Sequence, residues 1–209
     1  MNMNNYTLPE GFARLSDAAP RVLQDIRYAS SYNFIGRPVD GYEAPRAILA
    51  RRAAEALDRA SGDALARGFL LKVFDAYRPQ RAVDHFNRWV LDEADDAMKP
   101  WFYPDVRKAD LYALDFLGRR SSHSKGSAVD LTLFDPVQGR DADMGGPFDF
   151  FGPVSHFQWE GLTPEQAENR RLLRELMEKN GFAPLESEWW HFQLVDEPFP
   201  KTWFDFVIR

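Results

Sequence analysis

A carboxylate stands in the middle of a short apolar run, Ala128-Val-Asp-Leu-Thr-Leu133. The run reads as a strand. Alternation then sets Val129, Leu131 and Leu133 on one face and Asp130 with Ala128 and Thr132 on the other. Burying a carboxylate there is costly unless it is paired or coordinates a cation, so the fold must bring Asp130 a partner. His123 lies seven residues earlier, and in a straight strand that odd separation would place it on the opposite face. A turn at Ser124-Lys-Gly126 can bring both side chains into one site, with Gly126 supplying the backbone freedom. Taken alone, the pair reads either as a hydrogen-bonded His–Asp couple at a strand entrance or as half of a metal site.

Only four histidines exist, and a second one sits in unusual company, in Glu188-Trp-Trp-His191. His123, Asp130 and His191 together make a set of two imidazoles and one carboxylate, the arrangement of a catalytic zinc that keeps one position open. Glu188 then has a role as the base that takes a proton from water attacking a carbonyl. Glu188 and His191 are three apart, so a bend is expected at the lead-in to their strand. Without its partners, the same tetrapeptide is a partly buried edge strand. Arg78, in Asp75-Ala-Tyr-Arg-Pro79 at the end of a predicted strand, has the fixed charge and paired donors that suit an oxyanion. It reads equally as a surface residue of a helix-start turn.

Around these residues the pattern alternates without regular crossover helices. An Ala-rich helix is expected from Glu43 to about Ser61, closed by Gly62, then a strand over Phe69–Phe74 and a helix from Gln80 to about Ala94 behind Pro79. Residues 95–120 read as a long loop, and residues 134–160, rich in Gly, Pro and Asp, as a structured one. Thr163-Pro-Glu-Gln166 is a capped helix start, the helix stops at Gly181, and Glu188–Leu194 has strand composition. The expected fold is α+β, a small and mainly antiparallel sheet with flanking helices. At 209 residues, 44% of them hydrophobic, the chain suits one domain with a sizeable core. The 17 Phe and 6 Trp either fill that core or line a tight pocket.

The formal charge of −6 argues against a nucleic-acid or anionic-membrane surface. With no Cys, disulfides, thiolate chemistry and Cys-based metal sites are excluded. The start Met1-Asn-Met-Asn-Asn-Tyr6 lacks the form of a signal peptide, and no stretch approaches a membrane span, so a cytoplasmic protein is expected.

Ser121-Ser-His-Ser-Lys-Gly-Ser-Ala-Val-Asp130 is similar to an S-x-H-x-x-G-x-A-x-D signature. With Glu188-Trp-Trp-His191 it makes the chain resemble the D-alanyl-D-alanine dipeptidases, zinc peptidases related to D,D-carboxypeptidases. The resemblance extends to Asp75–Pro79, to Arg27-Tyr-Ala and Asn33–Tyr42 upstream, and to Phe148-Asp-Phe150 and Glu197-Pro-Phe-Pro200 downstream. It implies a single domain over residues 1–209 with the zinc site in a cleft on the sheet. One Zn²⁺ per chain would be held by His123, Asp130 and His191, with Glu188 as general base and Arg78 steadying the transition state. Ser121, Asp149 and Tyr42 match positions that hold the ends of the dipeptide. The Asp149 carboxylate suits a free ammonium, which would reject longer chains. The chain departs from the family at Ala76, where relatives often have Gly, and across residues 95–120.

The implied reaction is hydrolysis of a small dipeptide in cell-wall peptidoglycan metabolism, in a chain that works alone or as a homo-oligomer. A D,D-carboxypeptidase or murein endopeptidase would use the same metal site but needs an open groove. A non-haem Fe(II) oxygenase shares the two-His, one-carboxylate set yet needs no neighbouring Glu base. A metal-binding protein without catalysis would be expected to lack that base, which Glu188 supplies.

Overall fold

Strand β5 (Ala128–Asp135) is the axis of a six-stranded sheet, and it is buried on both faces over Ala128–Leu133. The computed structural model describes residues 7–209, so the polar start Met1–Tyr6 lies outside the described residues. Strands β2 (Leu23–Gln24), β4 (Leu70–Asp75), β5, β8 (Glu188–Leu194) and β7 (Phe182–Leu185) follow one another across the sheet, and β6 (Arg140–Asp141) pairs with the far end of β5. Only β2 and β4 run parallel; the other pairings are antiparallel. A second ribbon joins β1 (Phe12–Arg14) to β3 (Ile48–Ala50). With α1 (Leu15–Ala18), α2 (Arg51–Ala66), α3 (Gln80–Leu91), α4 (Lys99–Phe102) and α5 (Pro164–Lys179), this is the expected α+β class.

The Ala-rich helix starts later and ends later than its sequence suggests. Ile48 and Leu49, placed on its apolar stripe by spacing, are instead the fully buried core of β3, paired with Arg14 and Ala13. Ladder pairing there outweighs the local helix preference. Gly62 lies inside α2, which runs on to Ala66. The stop is Gly68, in the left-handed region at φ 85°, where the Gly68 N–H donates to Leu65 O at 3.0 Å and Phe69 N–H to Ala64 O at 3.0 Å. Helix α5 begins as its sequence dictates, with Thr163 and Gln166 forming a reciprocal capping box. Helix α3 opens at Gln80 and closes at Leu91, short of Ala94. Lys108 then caps its end, donating to the carbonyls of Trp89 (3.1 Å), Asp92 (2.7 Å) and Asp95 and lying 4.0 Å over the Trp89 ring. Residues 95–120, expected to be a loop, thus hold α4 and one 3₁₀ turn at Lys108–Asp110 around a buried ammonium.

The aromatic residues do both things their number allows. Phe34 meets Phe86, Trp89 and Phe151 at centroid separations of 4.9, 5.1 and 5.1 Å in the core between α3 and the sheet. Three of these rings, Phe34, Phe86 and Phe151, also line a cavity. Among the described residues no helix is long and apolar enough to cross a membrane.

Candidate active site and metal centre

Three polar residues stand side by side across the middle of the sheet: Asp75 on β4 pairs with Asp130 on β5, and Asp130 pairs with His191 on β8. Cross-strand partners have Cβ atoms about 4.5–5.5 Å apart, so the row concentrates charge in one place. Two irregularities aim it. A bulge between Val73 and Asp75 makes Phe74 an extra residue, which brings Asp75 rather than Phe74 opposite Asp130. On the other side, the β7–β8 register slips so that Leu185 faces Glu188 while Pro184 faces Phe192. That slip is the bend expected at Glu188. It lets Glu188 and His191, three apart, approach each other, with Glu188 Oε2 3.8 Å from His191 Nδ1.

His123 reaches the row from a 3₁₀ turn over Ser122–Lys125, capped by Ser121, whose Oγ accepts the His123 N–H at 3.3 Å. Gly126 ends the turn at φ 79°, and a Cβ there would collide with the Phe12 ring. His123 Nδ1 lies 2.7 Å from Ala76 O. A carbonyl only accepts, so the Nδ1 carries a proton and the Nε2 faces the site. That Nε2 lies 3.1 Å from His191 Nδ1 and 3.2 Å from Asp130 Oδ1, and His191 Nδ1 lies 3.0 Å from Asp130 Oδ1. His123, Asp130 and His191 are all buried, and their ligand atoms all lie within 4.8 Å of one another. Three such donors on one small triangle fit a cation, because their lone pairs otherwise face each other.

Burial works against charge on Asp130, His191, Glu188 and Asp149. Asp130 is nevertheless held well below the usual carboxylate range by the charge and hydrogen bonds of His123 and His191. Burial also opposes a charged His191, but the hydrogen bond and charge of Asp130 raise its pKa above that of an ordinary imidazole. Glu188 is pushed up by burial, with His191 pulling the other way. Asp149 is pushed well up by burial and by the charge of Asp130. Asp149 is 7% exposed, adopts φ 62°, and accepts the Tyr28 hydroxyl at 2.8 Å.

Beside the triangle lies a cavity of about 250 Å³. Glu188, Arg78, Ser121 and Asp149 line it together with the three metal-ligand candidates. Arg78 donates Nε to Asp75 Oδ2 at 2.8 Å and Nη2 to Asp130 Oδ2 at 3.4 Å, and its guanidinium lies 4.9 Å over the Tyr28 ring. Tyr42 is placed differently from its expected contact with substrate. It does not line the cavity; its hydroxyl donates to Asp75 Oδ1 at 2.6 Å, on the far side of Asp75 from the triangle. The bulge that turns Asp75 inward gives this phenol a buried carboxylate to satisfy.

Two participants carried no role in the sequence reading: Asp75, which holds Arg78, and Tyr28, which holds Asp149. Asp75 carried a signal, since it is a carboxylate closing an apolar strand and meets the same cost as Asp130. Tyr28 carried none beyond the tripeptide Arg27-Tyr-Ala.

Residues 9–209 match the M15 peptidase family, described as D-ala-D-ala dipeptidase. A D-alanyl-D-alanine dipeptidase of Enterococcus faecalis is 41% identical over 201 residues, 96% of this chain and 100% of the relative. One from Streptomyces coelicolor is 42% identical over 197 residues, 94% of this chain and 98% of its own, and one from Escherichia coli is 35% identical over 170 residues, covering 81% and 77%. Likeness at this level along almost the whole length, around one His–Asp–His cluster, means that the chain belongs to the M15 peptidases, in the D-alanyl-D-alanine dipeptidase family.

Proposed function

We propose that this chain hydrolyses the dipeptide D-alanyl-D-alanine to two D-alanines, with one Zn²⁺ held by His123, Asp130 and His191. The observation that carries the reading is the meeting of a three-donor triangle with Glu188, Arg78 and Asp149 on one small cavity. The donor set suits zinc, since ligands about 2.0–2.1 Å from a tetrahedral zinc stand roughly 3.3 Å apart, near the separations in the triangle. Because Asp130 and His191 are neighbours on β5 and β8, the metal would sit in a cleft on the sheet. Residues 1–209 are read as one dipeptidase domain, supported by a core that continues from Phe12 to Ile208.

Zinc supplies a Lewis acid for the scissile carbonyl and lowers the pKa of its water. The remaining work falls to the chain. Glu188, with its carboxyl pushed up by burial, takes the proton of the attacking water and returns it to the leaving amine. Arg78, fixed by Asp75, aims its charge at the oxygen where negative charge develops. Asp149 receives the substrate ammonium, and the Ser121 hydroxyl bonds the other end. A cavity of about 250 Å³ is below the ~300–1,000 Å³ of pockets for larger ligands, which favours a dipeptide over a wall peptide.

The test pairs metal content with turnover. The parent should carry close to one zinc per chain and hydrolyse D-Ala-D-Ala but not its N-acetylated form. Glu188→Gln should keep the zinc and lose about 10²–10⁴-fold in kcat. Near-normal kcat would reject Glu188 as the base, and lost zinc would make it a ligand. Comparable turnover of the blocked substrate would make the enzyme a carboxypeptidase instead.

A further inference from the structure

A dipeptide in this cavity presents a carboxylate as well as an ammonium, and the buried wall of the site has little to offer it. Asp130, Asp149 and Glu188 are carboxyl groups with no positive charge to offer, and Arg78 is already engaged through Nε and Nη2 by Asp75 and Asp130. One further cation lines the cavity, Arg120. It stands three residues before His123 and directly before Ser121, on the rim segment that also contributes Asp115, Phe116, Leu117 and Gly118.

Three observations suit Arg120 to an incoming carboxylate. Its guanidinium lies 4.5 Å over the Trp203 ring, which gives the side chain a platform. Arg81 and Arg107 are bound to Asp205 and Asp110, whereas Arg120 forms no ion pair among the described residues. Finally, the neighbouring Ser121 Oγ accepts the His123 N–H, so its own proton is left to donate toward the same region.

We infer that Arg120 is a specificity-determining residue that binds the C-terminal carboxylate of the dipeptide, beside the Ser121 hydroxyl. The inference rests on the dipeptidase reading and adds to it the way a free C-terminus is recognised. A guanidinium on a stacking platform binds a carboxylate with two donors and loses little freedom in doing so. Asp149 for the ammonium and Arg120 for the carboxylate would span the substrate, so that a longer or blocked chain loses one or the other. The side chain is exposed, so replacing it leaves the core intact.

The experiment measures binding separately from chemistry. In the zinc-loaded Glu188→Gln protein, Kd is measured by calorimetry for D-Ala-D-Ala and for D-alanyl-D-alaninamide, which keeps the ammonium and lacks the carboxylate. Adding Arg120→Ala should weaken the dipeptide about 10–100-fold, the scale of a hydrogen bond to a charged group, and move the amide less than about threefold. Arg120→Lys should restore part of the loss. In the enzyme with Glu188 intact, Arg120→Ala should raise KM for the dipeptide with kcat nearly unchanged. An equal loss for dipeptide and amide, or no loss for the dipeptide, overturns the assignment. Absence of turnover by the parent would instead reject the reaction, and the binding ratio would still decide Arg120.

Discussion

Tyr42→Phe removes one oxygen from the network behind Arg78 and leaves the aromatic ring, with its edge-on contact to Tyr28 at 5.6 Å, in place. Tyr42 is 6% exposed and Asp75 is fully buried, so no water takes over when the 2.6 Å hydrogen bond to Asp75 Oδ1 is lost. A hydrogen bond to a charged group is worth about 1.5–3 kcal/mol, and stranding the acceptor in the interior places the cost at that level. For a chain of this length that corresponds to roughly 3–12 °C in Tm. Burial already raises the Asp75 carboxyl, and the phenol is one of the groups holding it down. Its loss should push the Asp75 carboxyl further up. A protonated Asp75 grips Arg78 less firmly, so the acid limb of the kcat profile should move to higher pH. KM should not change, because Tyr42 does not line the cavity. The assay is kcat and KM from about pH 5 to 9, with a thermal melt and zinc content on the same preparation. A several-fold rise in KM at unchanged Tm would place the phenol on the substrate and refute this reasoning.

Arg170 on α5 is 1% exposed and donates Nε to Met144 O (2.6 Å), Nη1 to His156 O (2.7 Å) and Nη2 to Val154 O (2.7 Å), which clamps both ends of the loop carrying Asp149. Arg170→Ala should lower unfolding stability by at least about 3 kcal/mol and raise KM for the dipeptide, and an unchanged denaturation midpoint would refute the clamp. For Asp149, burial and then the charge of Asp130 raise the folded pKa, so the native protein keeps a proton that the unfolded chain releases near pH ~4. Stability conferred by that proton is full below pH ~4 and declines above it, by up to about 1.4 kcal/mol per pH unit, until the folded pKa is passed. Metal-free Asp149→Asn should therefore match the parent near pH ~4 and exceed it increasingly toward pH ~8; parallel curves of Tm against pH would refute this.

What was legible in the sequence was the chemistry whose cost is local. Asp130 in an apolar strand announced a partner before any fold was known. Thr163 and Gln166 announced a helix start, and the positions of His123, Gly126 and His191 announced a turn into one site. Distances that depend on register were not legible. Nothing near Phe74 marks it as the extra residue of a bulge, yet that single slip decides that Asp75 faces Asp130. The same slip gives Tyr42 its partner, because a buried carboxylate behind Arg78 needs its own donor. Ile48 and Leu49 fit the helical stripe as well as any residue in α2, and only their pairing with Ala13 and Arg14, remote in sequence, makes them a strand. Lys108 carried no sequence signal either, since three carbonyls from the end of α3 and the turn after it converge on its ammonium only in the folded chain.

The charge of the site explains why these parts belong together. Asp75, Asp130, Asp149 and Glu188 crowd around one guanidinium, that of Arg78. Such a cluster is unfavourable in a low-dielectric interior, and removing or protonating a carboxylate would relieve it. Under the proposed function two cations would complete the set: a divalent ion on the triangle and an ammonium at Asp149. Each of them lowers the cost of ionising the carboxylates for the other, so metal and free dipeptide should bind cooperatively. An N-acylated peptide brings no positive charge to Asp149 and would leave that carboxylate buried and unpaired. Under the proposed function such a site would select a free amino terminus by charge and a short chain by volume, and the substrate carboxylate would find its cation at the rim, at Arg120.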